Sequence, residues 1–169
     1  MKRLILFFSL LMAFSFANSE EYLGDGWVYV ENVSPIDDSS THVIVKESDD
    51  FVFSGISKTK PALGIACYPS GNVELLVSWG VPMDVDFMDS SVEVVTRLDK
   101  DKAERKKWDS SNSKVTFYPG RSEEVKNFIS SFTGKDKMLV SAKPAFGTTD
   151  YAYFSLNGAS EAIDTLYDR

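Results

Sequence analysis

Short runs of alternating apolar and polar residues, separated by turn-forming residues, recur from Trp27 to Leu156. A period of two sends successive side chains to opposite faces of an extended chain, so each run offers one apolar face and must find hydrogen-bond partners along its edges. Residues 27–31, 41–46, 63–68, 73–79, 92–99, 114–118, 137–142 and 150–156 read this way. Val73, Leu75, Val77 and Trp79 share one face. Val92, Val94 and Leu98 point inward, with Glu93, Arg97 and Asp99 outward. In 41–46, Val43 and Val45 take one face and His42, Ile44 and Lys46 the other. Pro69-Ser-Gly-Asn72 is a hairpin turn by composition.

Two segments change to helical period. Val125, Phe128, Ile129 and Phe132 form one stripe, with Ser122 as N-cap candidate, Glu123 and Glu124 in the first turn and Gly134 as the stop. Ala159, Ala162, Ile163 and Leu166 form the second, after Asn157-Gly158. Both stripes are narrow, which places these helices on a sheet rather than within the core. The expected class is mainly β: an antiparallel β-sandwich of about eight strands with two short peripheral helices. A single domain over residues 20–169 suffices, because a chain of ~150 residues buries about two-thirds of its unfolded surface without staples. No repeat and no linker interrupts it.

The chain opens with the basic Met1-Lys-Arg3, continues with an apolar run over residues 4–16, and then has small residues at Ala17, Asn18 and Ser19. That order is a secretory signal peptide over residues 1–19, cleaved after Ser19 or, alternatively, after Ala17. The run is too short to span a bilayer, which takes about 20 apolar residues, and the expected location is periplasmic or secreted. The chain has 18 basic and 25 acidic residues for a net charge of −7, and without Lys2 and Arg3 residues 20–169 carry −9. Such acidity argues against nucleic acid as a partner, because binding it requires cations to replace condensed counterions. One cysteine and one histidine exclude a disulfide scaffold and a Cys/His zinc site, and no cofactor is expected.

Cys67 shares a face with Leu63 and Ile65, as a buried small hydrophobe would. Its alternatives are an intermolecular disulfide or a nucleophile, for which His42 is the one histidine that could act as base. Asp84, Asp86 and Asp89 could offer oxygens to a hard cation, but Asp89 stands where a calcium loop needs glycine, and a solvated acidic loop is the simpler reading. Asp49-Asp50 reads as a turn before Phe51. Lys100, Lys102, Arg105, Lys106 and Lys107 make one basic cluster, interleaved with Asp99, Asp101 and Glu104. The candidate binding residues are Arg97, Asp99 and Trp108. A guanidinium beside a carboxylate, capped by an indole face, can pin a hairpin or hold a partner.

A string of landmarks resembles the TagO or VasI-like family of exported accessory proteins linked to bacterial type VI secretion. It runs through Trp27-Val-Tyr-Val, Pro61-Ala-Leu-Gly-Ile-Ala-Cys67, Glu74-Leu-Leu-Val-Ser-Trp-Gly80, Val94-Val-Thr-Arg-Leu-Asp99 and Trp108-Asp-Ser110. Phe117-Tyr-Pro119, Phe128-Ile129 and Tyr153-Phe-Ser-Leu-Asn-Gly158 complete it, before a short helix with Ala162-Ile163. The family typically carries a second cysteine near the C-terminus, where this chain ends Leu166-Tyr-Asp-Arg169, so the resemblance implies that Cys67 has lost its disulfide partner. It further implies a periplasmic accessory protein with no established enzymatic activity, and the leading expectation is a module that acts by contact with an envelope protein or cell-wall component. The rivals are an inhibitor of a wall-degrading enzyme and an envelope hydrolase using His42 with Cys67 or a nearby serine. Ser70-Gly71 and Ser54-Gly55 lack the tyrosine of the Ser-Gly-x-x-Tyr loop found in one class of lysozyme inhibitors.

Overall fold

The computed structural model describes residues 18–169. The signal-peptide reading therefore lies outside the described residues, except at Asn18 and Ser19, which open the first strand. The strands, in chain order, are β1 (Asn18–Gly24), β2 (Trp27–Val33), β3 (Ser40–Glu47), β4 (Val52–Ser54), β5 (Ser57–Thr59), β6 (Ala62–Cys67), β7 (Val73–Ser78), β8 (Ser91–Leu98), β9 (Glu104–Ser110), β10 (Val115–Phe117), β11 (Lys137–Ala142) and β12 (Asp150–Ser155). The helices are α1 (Ser122–Ser130) and α2 (Ala159–Tyr167). The fold is mainly β, with all strand pairs antiparallel, as the alternation predicts. Ten strands form one sheet in the order β1-β2-β3-β6-β7-β10-β9-β8-β11-β12, and β4 with β5 forms a separate hairpin.

The register shows how one face becomes the core. Trp27 lies beside Lys46, Lys46 beside Leu63, Leu63 beside Val77 and Val77 beside Thr116, one continuous row across five strands. All five residues are buried. Trp108 and Val92, then Val94 and Ala142, then Leu98 and Met138 continue that face through β9, β8 and β11. The sheet curls until its far ends meet. The Asp49 N–H beyond β3 donates to the Tyr153 carbonyl of β12 at 2.8 Å, and the Trp27 indole donates to the Asn157 carbonyl at 2.9 Å. Two halves thus face each other across one apolar core.

Both helices cover the inner face near one end. α1 packs on β7 and α2 on β2 and β3, burying Val125 and Ile129 from one helix and Ala159, Ala162, Ile163 and Leu166 from the other. Ser122 does not cap α1 as its chemistry predicts. Arg121 holds the N-cap position, and the Ser122 hydroxyl accepts from the Val73 N–H at 3.1 Å, tethering the helix start to β7. Gly158 stands at the N-cap of α2 with φ 71°, where a Cβ would come 2.8 Å from an Asp25 carboxylate oxygen. Here glycine is required by conformation and by space.

All eight strands expected from the sequence are present, and four more join them: β1, β4, β5 and β9. β9 is the instructive addition. Its sequence, Glu-Arg-Lys-Lys-Trp-Asp-Ser, has a single large apolar residue, yet both its edges are paired, by β8 and β10. Among the described residues, no helix is long and apolar enough to cross a membrane.

Candidate functional site

The structure does not assemble Arg97, Asp99 and Trp108 into one site. Trp108 is 0% exposed and lies on the inner face opposite Val92. Arg97 is exposed on the outer face opposite Leu139, five residues along β8 from Val92, or ~16 Å at strand rise. An odd number of residues separates the two faces, so the guanidinium cannot cap the indole. Asp99 has left the strand, with φ 45°. Its carboxylate accepts from the N–H groups of Asp136 at 3.1 Å and Lys137 at 3.0 Å, fastening the end of β8 to the start of β11. The three side chains therefore share no common pin or surface: Trp108 packs in the core, Asp99 fastens β8 to β11, and Arg97 stands apart.

The basic cluster disperses as well, because alternation along β9 splits it between faces. Arg105 pairs with Glu93 across β8. Lys106 turns inward and donates to the Tyr118 hydroxyl at 2.6 Å. Lys107 meets Asp89 at 2.6 Å and Asp86 at 3.1 Å, and Lys143 meets Asp84 at 2.7 Å. Hydrogen bonds from the Met88 N–H and Lys107 lower the pKa of Asp86, and those from Lys107 and Ser91 lower that of Asp89. The acidic loop is thus neutralised by lysines. Among the described residues, no group of three His, Cys, Asp or Glu side chains is placed to hold a metal ion.

His42 and Cys67 do come together, as a cross-strand pair on the inner face of β3 and β6. They border an open cavity of about 300 Å³ with Lys126, Tyr68 and Tyr167. The His42 Nδ1 is 2.7 Å from the Tyr29 hydroxyl. Burial pushes the Cys67 thiol up in pKa, with Lys126 pulling the other way, so the protonated form is favoured over the reactive thiolate. Tyr68, on the same rim, donates to Glu74 at 2.7 Å.

Burial, then the hydrogen bond and charge of Glu74, push the Tyr68 phenol up from 10.0 to about 12. Between those values an unfolded tyrosine releases its proton while the folded one keeps it. The folded state then binds more protons, and stability falls as pH rises through that window. Tyr68→Phe is expected to lower stability by about 1 kcal/mol near neutrality through the lost hydrogen bond. It should also flatten the alkaline decline. Urea midpoints at about pH 8 and about pH 11 check this, and an equal decline in both proteins would refute it.

The more distinctive surface lies at the opposite end of the strands. Of the ten large apolar or aromatic side chains exposed among the described residues, seven gather there: Phe51, Phe53, Ile56, Phe87, Met88, Phe146 and Tyr151. They belong to the β4–β5 hairpin with its approach, to the loop between β7 and β8, and to the loop and strand start between β11 and β12. These segments brace one another. The Gly55 N–H donates to the Phe146 carbonyl at 2.9 Å, and the Phe53 N–H to the Asp150 carboxylate at 2.9 Å. The Asp84 N–H donates to the Lys143 carbonyl at 2.8 Å, and the Ala145 N–H to the Pro82 carbonyl at 2.9 Å. Between the hairpin and the 143–149 loop lies an open cleft of about 630 Å³, lined by Phe53, Ala145, Phe146 and Asp150. Lys58 and Lys60 stand over the Phe51 ring at 5.0 and 5.5 Å.

In sequence this end is marked most visibly by its acids, Asp84, Asp86 and Asp89, which mask the apolar residues between them. The signal was present in Asp86-Phe87-Met88-Asp89 and Ser54-Gly55-Ile56-Ser57. A large apolar residue inside a tight polar turn has no route to the core, so it must face solvent or a partner. No family model, curated protein or solved structure matches the chain.

Proposed function

We propose that this is an exported periplasmic accessory protein that works by contact, engaging an envelope component through the three-loop apolar end. The single observation that carries the reading is the concentration of seven exposed large side chains on three mutually braced loops. Scattered exposed apolar residues are ordinary on a globular surface, whereas a shared apolar end marks an interaction site. The export step rests on the basic, apolar, small-residue order of residues 1–19. Association with type VI secretion rests on the landmark resemblance. No step of this function requires a cofactor or a chemical reaction.

Ile56, Phe87 and Met88 are 105%, 96% and 98% exposed, so replacing them leaves the core untouched. The triple variant Ile56→Ser, Phe87→Ser, Met88→Ser is expected to melt within a few degrees of the parent, since surface changes typically move stability by less than about 0.5 kcal/mol each. Its co-sedimentation with a Gram-negative envelope fraction should fall at least about tenfold, because each side chain forfeits roughly 1.5 kcal/mol or more of apolar burial. Equal sedimentation of parent and variant would reject this end as the site.

A second reading, an envelope hydrolase, is favoured by one observation, the His42–Cys67 pairing beside an open cavity. Release of peptidoglycan fragments by the parent but not by Cys67→Ser would select it.

A further inference from the structure

We infer that the occupant of the three-loop end is the surface of a lipid bilayer, into which Ile56, Phe87, Met88 and Phe146 insert. This inference rests on the binding role proposed for that end and names its partner. The first argument is the form of the patch. Ile56, Phe87 and Met88 are almost free of neighbours on their own loops, and Phe146 is 69% exposed. Protein interfaces concentrate their energy in packed, partly preformed centres, where an anchor meets a complementary pocket. Ile56 and the Phe87-Met88 pair stand on separate loops and do not line the open cleft beside the hairpin, which only Phe146 of the four borders. A bilayer interface needs no complementary shape and accepts each tip separately, taking up apolar and aromatic side chains at the headgroup and acyl boundary.

The second argument is the charge around the tips. The carboxylates flanking Phe87, Met88 and Phe146 are occupied: Asp84 by Lys143, Asp86 and Asp89 by Lys107, and Asp150 by the Phe53 and Tyr151 N–H groups. Lys58 stands over the Phe51 ring at 5.0 Å, where its stem can lie along apolar surface and its ammonium can meet lipid phosphate, while Lys60, at 5.5 Å from the same ring, also pairs with Glu47 at 3.8 Å. Because residues 20–169 carry −9 overall, long-range attraction to an anionic membrane cannot drive binding. Insertion is apolar in origin, and its affinity should change little with salt or with the share of anionic lipid.

The third argument is mechanical. The loops are tied by backbone hydrogen bonds from Gly55 to Phe146, Asp84 to Lys143 and Ala145 to Pro82. The tips are therefore held outward before contact, and little ordering cost remains to be met on binding.

The three native tryptophans, Trp27, Trp79 and Trp108, are all fully buried, so a fourth at position 56 reports on that tip alone. Ile56→Trp is mixed with protein-free vesicles of phosphatidylethanolamine and phosphatidylglycerol. Its emission is expected to shift to the blue and to be quenched by lipids brominated on the acyl chain. The serine triple variant should lose about a thousandfold in vesicle partition, since each of its three apolar side chains is worth roughly tenfold. Absence of shift and quenching overturns the inference, as does binding that disappears in high salt. If vesicles fail but the envelope fraction still binds the parent and releases the triple variant, the partner is a protein or wall component: the lipid inference falls and the binding role stands. If neither surface binds the parent, both fall.

Discussion

Trp108→Ala is expected to lower the unfolding free energy by about 3–5 kcal/mol, while Arg97→Ala changes it by no more than about 0.5 kcal/mol. The indole is completely buried on β9, against Val92 across the strand pair and edge-on to Tyr118, with ring centroids 5.4 Å apart at 78°. Truncation removes a large apolar surface and leaves a cavity that a continuous ten-stranded ladder cannot close, because strand spacing is set by its hydrogen bonds. For a domain of this size the loss lowers Tm by about 6–20 °C, a large share of a typical total stability of about 5–15 kcal/mol. Arg97 makes no ion pair among the described residues, and its side chain is exposed. Urea unfolding of both variants tests the assignment. Comparable losses for the two would restore a shared Arg97–Trp108 contact, and a mild Trp108→Ala would show that β9 is not anchored by its tryptophan.

Legibility of the fold tracked how strongly each residue type is confined to one environment. Alternation in β7, β8 and β11 identified the buried faces, because Val, Leu and Ile lose most by facing water on a one-sided sheet. In β3 the same logic is silent, since both faces carry apolar residues. The inward set proves to be His42, Ile44 and Lys46, leaving Val43 and Val45 on the outer face. Lys46 tolerates burial because its ammonium donates to the Asp25 carbonyl and stands 6.0 Å from the centre of the Trp27 ring, although burial lowers its pKa. β9 was illegible for the opposite reason: its ladder partners make it a strand, and nothing local does. Pairing Arg97 with Trp108 failed on parity, because the register of β8 against β9 is a long-range property that a hairpin guess cannot supply. The apolar loop tips carry no periodicity, so a single Ile56 or a Phe87-Met88 pair inside a polar turn gives no pattern that marks it.

Tyr118→Ala is expected to cost about 3–5 kcal/mol and to loosen α1 before the rest of the fold. Tyr118 is the hub of an aromatic ladder that joins the sheet to the helix. Its ring stacks on Phe128 of α1 at 4.4 Å and 9°, Phe128 meets Phe132 edge-on at 5.5 Å, and Trp108 approaches Tyr118 from the sheet side. Lys106 adds a hydrogen bond to the hydroxyl and lies 4.7 Å from the ring centre. α1 is only nine residues long, with no side-chain cap and no basic residue in its last turn, so it holds little stability of its own. Without Tyr118 its remaining anchors are Val125 and Ile129, Phe132 just beyond its end, and the Ser122–Val73 hydrogen bond at its start. Amide exchange in α1 should therefore accelerate by more than exchange in β8 or β11, a local opening distinct from global unfolding. Tyr118→Phe keeps the stack and loses only the Lys106 contact, so it should retain most of the α1 protection. Because Tyr118 touches Trp108, the double alanine variant should cost less than the sum of the singles, by about 0.5–1.5 kcal/mol for an aromatic pair. Strict additivity, or uniform acceleration of exchange across sheet and helix alike, would show that the ladder is not what couples α1 to the core.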